Sequence, residues 1–304
     1  MRQTGIMRSV KKSIGRHVKI EKQCVFRSLD GGPMKRVEIG DCTFIGEKTR
    51  VLIPSIRIGD YCKVHNHALF LGTESCGIGH NCWIGEYTVL NCHGQLEIGN
   101  NVAIGGNSHI WTHVRAGELL EGSTLCSSDP VKIEDNVWLV GNGTTIYPGV
   151  TLAEGTVVMP NSVVIKSTQP RRCYAGSPAV DVTSKLNPWK PISIDKRFAM
   201  MQEFTKEFMA LVGGLGNPKS GFRCKLGRIV FIENLESCRT EGLQETLVIT
   251  KNTGSHKRMS RRVSVFNVST KSYTKHLGPL EIAFMRFLVP YRAKFLPMGD
   301  GWTD

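Results

Sequence analysis

No stretch of the 304-residue sequence holds the roughly 18 consecutive apolar residues of a helical membrane span, so no transmembrane segment is expected. The basic opening, "MRQTGIMRSVKKSIGRHVKIEK", lacks the apolar centre of a secretory leader, and a cytoplasmic protein is expected. The ten cysteines lack a paired framework, and a chain this long does not need covalent staples to hold a core. Reduced thiols follow. Acidic residues are scarce, 26 against 39 lysines and arginines, for a formal net charge of +13. That excess favours anionic partners in general: nucleic acid, lipid headgroups or phosphorylated small molecules. It is concentrated at the N-terminus and after Lys190, and is densest in "SHKRMSRR". No nucleic-acid-binding motif or aromatic-interleaved basic pattern accompanies it, so nucleic acid is not an expected partner.

What the sequence does have is a repeat. From Val37 onward an aliphatic residue opens unit after unit of six: "IGDCTF", "IGEKTR", "IGDYCK", "IGHNCW", "IGEYTV", "IGNNVA", "IGGNSH". The aliphatic positions group in threes, such as Ile39, Ile45 and Val51, then Ile78, Ile84 and Leu90, and triplets start about twenty residues apart. Six residues fit neither a helical stripe nor a long alternating strand. They fit a short strand plus a corner, three of which make one turn of a triangular solenoid with the aliphatic residue inside. Small residues recur four places later (Thr43, Thr49, Cys62, Ala68, Cys82, Thr88, Ser108, Gly143, Thr156, Ser162). At such positions Cys62 and Cys82 have a sufficient role in packing.

The repeat, with "DNVW", "YPGVTL" and "YAGSPAV", resembles the left-handed parallel β-helix of the hexapeptide-repeat acyltransferases, especially the galactoside, maltose and polysaccharide O-acetyltransferases. The resemblance covers roughly residues 20–185. It implies a homotrimer with active sites between neighbouring prisms, acetyl-CoA as acyl donor, and a saccharide acceptor, phosphorylated or not. The expected organisation is a basic tail over 1–19, a β-helix over 20–187 with a loop at 114–130, and a C-terminal α+β domain over 188–304.

Between Ile110 and Val131 the rhythm breaks for about seventeen polar residues, and loops of that length in a compact domain usually carry function or are disordered. The family has a protruding loop at the corresponding coil, with its catalytic histidine at the root, and His113 stands there. Attack of a sugar hydroxyl on a thioester needs a base to remove the proton, and imidazole, with a pKa of about 6.5, supplies one at neutral pH. A histidine base serves an amino group equally, so N-acetylation of an amino sugar is the alternative. Glu118, Glu121, Asp129 or a backbone carbonyl could orient the ring, and His109 is expected to be structural.

Further roles follow from the resemblance alone. Asn91 and His93 are expected to contact the acceptor. Trp138, Gly141, Asn142, Gly143 and Ser162 are expected along the coenzyme arm, and Lys166, Arg171 and Arg172 near its phosphates. "LVGNGTTIYP" runs one residue longer than the family's usual stretch, and Pro160 stands where many members offer an N–H.

Two rivals use the same scaffold. γ-Class carbonic anhydrases hold zinc with three histidines, and His65, His67 and His80 are available, but the position five after His80, a histidine in that family, is Gly85. No metal is expected. A non-catalytic binding scaffold would leave His113 without a purpose. After "KLNPWKP" the rhythm ends. "DKRFAMMQEFTKEFMALV" and "PLEIAFMRFLVP" read as helices and "GRIVFI", "ETLVIT" and "RRVSVFNV" as strands, of a domain that either contacts a phosphorylated acceptor through Arg258, Arg261 and Arg262 or mediates assembly.

Overall fold

The computed structural model describes residues 11–186, 188–234, 245–252 and 262–298, and the chain divides near Pro188 into two compact units. In the first unit, strands of two to four residues stack into three parallel sheets of seven, nine and seven strands, with a short antiparallel turn-back at the end of the second sheet. One strand from each sheet makes one coil, and successive coils pair in register: Ile39 with Ile58, Ile58 with Ile78, Ile78 with Ile98, Ile98 with Ile133. The fold is a left-handed parallel β-helix.

The aliphatic column explains why hexads wind this way. Ile45, Val64, Ile84, Ile104, Leu139 and Val158 line the inside of the second sheet at 2% exposure or less, and Val51, Phe70, Leu90, Ile110, Ile146 and Val164 do the same in the third. Each such side chain contributes about 1.5–3 kcal/mol by leaving water. The small-residue column is buried too, from Thr43 to Ser162. At the lengthened coil the buried small residue is Thr144; Gly143 stands outside the column at φ +75°, so the extra residue is absorbed before the strand resumes. Val102 and Val137 fill the equivalent place elsewhere, so the position takes an apolar β-branched residue as well as threonine. Cys62 and Cys82 donate their thiols to the carbonyls of Gly79 and Gly99, at 3.0 and 3.1 Å. Burial pushes the Cys62 thiol well above its ordinary pKa, which favours the protonated thiol there.

Corners are held by polar ladders. Asp60 Oδ1 accepts from the Asp41 amide at 2.7 Å, His80 Nδ1 from Asp60 at 3.0 Å, Asn100 Oδ1 from His80 at 2.8 Å, and Asp135 Oδ1 from Asn100 at 2.6 Å. Buried backbone donors are thereby satisfied coil by coil. His80 is consumed in this ladder. The fourth residue of many hexads is left-handed, including Asn81, Asn101 and Asn136 at φ near +60°, a conformation asparagine tolerates better than most residues.

The expected tail over 1–19 needs correction. Lys11–Ile14 and Lys19–Ile20 are strands of a first coil, pairing Ile14 with Ile39 and Ile20 with Ile45; Phe26 completes the triplet against Val51. These residues keep the spacing of six. Among the described residues they have a neighbouring coil on one side only, and Ile14 and Ile20 stay 39% and 42% exposed; Gly15 follows Ile14 as in the later hexads, whereas Glu21 and Arg27 follow Ile20 and Phe26.

The second unit is a mixed seven-stranded sheet with two longer helices, Ile194–Leu211 and Pro279–Leu288. Strands Gly227–Asn234, Thr246–Asn252 and Val263–Asn267 are parallel neighbours. Four strands not anticipated from sequence, at 215–217, 221–224, 272–273 and 296–297, extend the sheet. Arg262 lines a small cleft of about 260 Å³ with Glu245, Ser264 and His276, whereas Arg258 and Arg261 lie outside the described residues.

Candidate active site

The third sheet ends its fourth and fifth coils at Val89–Asn91 and His109–Ile110, paired Val89 to His109 and Leu90 to Ile110. One coil is therefore an offset of twenty, which sets His93 beside His113. Instead of turning the corner after Ile110, the chain leaves the prism as a hairpin, His113–Arg115 against Cys126–Ser128, with His113 opposite Ser128. The hairpin tip is a single 3-10 turn, Leu119–Glu121. The Asp129 amide returns to the Thr112 carbonyl at 2.9 Å and closes the root. A Cβ on Gly94 would come within 2.8 Å of the Asp129 carbonyl, so a glycine is what lets the returning strand pass so near the coil.

His113 Nδ1 lies 2.9 Å from Asn91 Oδ1. The amide is oriented by its other partners: the His93 amide donates to the same Oδ1 at 3.3 Å, and the Thr112 hydroxyl reaches both Asn91 O and Oδ1 at 3.0 Å. Thr112 Oγ1 in turn accepts from the Gly94 amide at 2.8 Å. An oxygen facing a backbone N–H makes Nδ1 of His113 the donor, which leaves Nε2 unprotonated with its lone pair pointing away from Asn91. The His93 ring stands edge to face with His113 at 4.7 Å, and Trp111 flanks it at 6.0 Å. Partial burial, then the neighbouring His93 and Arg115 charges, hold His113 below the ordinary imidazole pKa. The contact to Asn91 favours the tautomer with the proton on Nδ1, and the surroundings favour the neutral ring.

Several expectations are revised here. Asn91, expected at the acceptor, is 1% exposed, and its Oδ1 is engaged by His113, the His93 amide and the Thr112 hydroxyl. Its place also answers what orients the ring: neither Glu118, Glu121 nor Asp129 but an amide one coil below. His93 is half-buried at the ring of His113. His109 projects outward from the third sheet between Val89 and Thr145. Trp111 and Thr112 were not singled out from sequence, and the signal that finds them is the offset of twenty.

Of the residues expected along the coenzyme arm, Trp138 is half-buried on the outside of the second sheet, and Gly141 and Asn142 are exposed at the corner between the second and third sheets, with Gly143 beside them. Gly141 at φ +72° and Gly143 at φ +75° have conformations that suit glycine. Ser162 is different: it is fully buried, and its hydroxyl accepts from the Gly176 amide at 3.1 Å, so it does not face a groove. Pro160 packs over Gly141, where a Cβ would approach its ring to 2.8 Å. Lys166, Arg171 and Arg172 are exposed near the end of the prism, with Arg172 Nε 3.9 Å from Asp181.

No protein-family model matches the chain. A Schizosaccharomyces pombe protein provisionally named an acetyltransferase is 38% identical over 85 residues, which cover 28% of this chain and 41% of that protein. An Escherichia coli protein provisionally named as the colanic acid biosynthesis acetyltransferase WcaF is 29% identical over 111 residues, 36% of this chain and 58% of its own. The E. coli galactoside O-acetyltransferase is 29% identical over 136 residues, 43% and 66% of the two chains. The chain spans from about two fifths to just under two thirds of the length of these relatives. Among solved structures, the polysialic acid O-acetyltransferase OatWY aligns at 22% identity over 57% of this chain and 88% of that one, with a TM-score of 0.34. The N-acyltransferase AntD from Bacillus cereus, in complex with dTDP and 3-hydroxybutyryl-CoA, aligns at 19% identity over 66% and 91%, with a TM-score of 0.37. The chain is a hexapeptide-repeat β-helix protein similar in part to proteins named acetyltransferases.

Proposed function

We propose that this protein is an acetyl-CoA-dependent acetyltransferase that moves an acetyl group directly onto a carbohydrate hydroxyl, with His113 as general base. The observation that carries the reading is the 2.9 Å contact between His113 Nδ1 and Asn91 Oδ1 at the root of the hairpin, which leaves Nε2 free to accept a proton. The names of the relatives support acetyl transfer, and that of the galactoside enzyme supports a sugar acceptor.

Acetyl-CoA supplies the thioester carbonyl that the acceptor oxygen attacks. His113 Nε2 removes the hydroxyl proton as that bond forms, and the imidazolium keeps its Nδ1–H on Asn91 throughout. The proton on Nε2 is then available to the departing sulfur, so the ring ends neutral and one free thiol appears per ester made. Positioned base catalysis of this kind contributes about 10²–10⁴ in rate. The exposed backbone at Gly141 and Asn142 fits an extended amide arm, and Lys166, Arg171 and Arg172 are the cations for its phosphates. Assembly as a trimer, a cytoplasmic location and a role in polysaccharide synthesis belong to the same proposal.

The test is thiol release from acetyl-CoA across a panel of sugars, nucleotide sugars and oligosaccharides, with the product analysed by mass spectrometry. Ester formation on a sugar hydroxyl is expected; the absence of thiol release with every acceptor refutes the reading.

A further inference from the structure

The register of the second sheet gathers residues that the sequence scatters. Lys19 pairs with Phe44, Phe44 with Lys63, Lys63 with Trp83, Trp83 with Ala103, and Ala103 with Trp138. Each immediately precedes an inward aliphatic residue, so by strand alternation all of them project outward on one face. Lys19 Nζ and Lys63 Nζ lie 5.8 and 5.9 Å from the Phe44 ring centre. Lys19 is also paired with Glu21 at 2.5 Å, whereas Lys63 has no ion pair among the described residues. Trp83 is 38% exposed, with the His65 ring packed edge to face against it at 4.8 Å. Phe44, Trp83 and Trp138 follow one another at two-coil intervals, about 9.6 Å at a strand spacing of about 4.8 Å.

We propose that this face binds an extended, carboxylate-bearing saccharide chain, its rings lying on Phe44 and Trp83 and its acid groups meeting Lys63 and Lys19. Aromatic rings offer flat apolar surfaces that suit the C–H faces of pyranoses. Spaced two coils apart, they would meet alternate sugars of a chain in which every second ring presents the same face. Stacked nucleobases are far closer, about 3.4 Å per strand, and would call for aromatics on adjacent coils. The lysines account for selection of an acidic chain over a neutral one. The proposal deepens the acetyltransferase reading by naming an acidic polysaccharide as the acceptor class, and it rests on that reading for the fate of the bound chain, not for its binding.

The experiment measures binding of the full chain to polygalacturonate, to a neutral glucan and to single-stranded DNA by titration calorimetry at low and moderate salt. Polygalacturonate is expected to bind and the glucan to bind more weakly. Trp83→Ala is expected to weaken polygalacturonate about tenfold, a loss of the size of one aromatic contact. Trp83→Phe should restore most of it, Lys63→Gln should weaken binding and flatten its salt dependence, and Lys132→Gln, on the first sheet, should have no effect. Thiol release with a small sugar acceptor should be unchanged in Lys132→Gln. The proposal is overturned by no binding of polygalacturonate, by binding indifferent to Trp83→Ala, by DNA binding more tightly through the same residues, or by Trp83 becoming shielded as copies of the chain associate. Trp83-dependent binding without thiol release on any acceptor would instead defeat the acetyltransferase reading and leave this one standing.

Discussion

Replacing Asn91 by alanine tests the geometry of the base without touching the base itself. The substitution removes the oxygen that holds His113 Nδ1 at 2.9 Å and also strips a partner from the His93 amide and the Thr112 hydroxyl. Leaving buried donors unsatisfied costs about 1–3 kcal/mol of stability, visible as a lower melting temperature. Catalysis should fall more selectively. His113 keeps its proton affinity in part but loses its fixed tautomer and direction, so kcat is expected to drop roughly tenfold to a hundredfold, about 1.4–2.7 kcal/mol of barrier. The Michaelis constant for acetyl-CoA should hardly change. Asn91→Asp separates orientation from folding. The carboxylate accepts from the same donors, and nothing is lost at Nδ2, which makes no hydrogen bond among the described residues. An anion beside the ring favours imidazolium, however, and raises the His113 pKa. The base works only when Nε2 is unprotonated, so the acid limb of kcat should move to higher pH and activity should return on the alkaline side. Steady-state kinetics from pH 5 to 9 give the answer. An Asn91→Ala enzyme with wild-type kcat would refute the positioning argument.

Three further predictions follow from the same geometry. Removing the Arg115 cation, one of the groups that hold the His113 pKa down, should shift the acid limb of kcat/KM upward in Arg115→Ala, and an unshifted limb would exclude that coupling. A Cβ on Gly105 would lie 1.5 Å from the Gly141 carbonyl, so Gly105→Ala should displace the 141–143 corner, lower the melting temperature by an overpacking cost of about 1–3 kcal/mol and raise KM for acetyl-CoA; a normal KM would separate that corner from the coenzyme. Ser162→Ala should cost stability of about 1 kcal/mol through the lost Gly176 bond while leaving KM for acetyl-CoA unchanged, and a raised KM would return Ser162 to the groove.

The prism was legible because its rule is one-dimensional: an aliphatic residue every six places points inward wherever a coil has neighbours on both sides. The same rule became faint at Ile14, Ile20 and Phe26, where the two isoleucines stay partly exposed and no glycine follows Ile20 or Phe26. His113 could be read from the break in rhythm. The partners of Asn91 were not legible, because an asparagine at the end of a strand looks the same from sequence whether its amide turns out to a ligand or in to a neighbour. Only the register, which sets residues twenty apart side by side, decides that. Ser162 shows the same ambiguity, since a small residue in the column belongs to the core by position even where the resemblance assigns it to a ligand. The Lys19–Phe44–Lys63–Trp83 array escaped a search for basic residues interleaved with aromatics because its members are about twenty residues apart in the chain and one strand apart in space.

The account turns on one imidazole, and the most direct measurement is the single-turnover rate of acetyl transfer by His113→Ala beside the unaltered protein, with both substrates saturating and the fold of each checked by circular dichroism. A fall of about 10²–10⁴ with folding intact is the predicted result. Equal rates in the two proteins would contradict it.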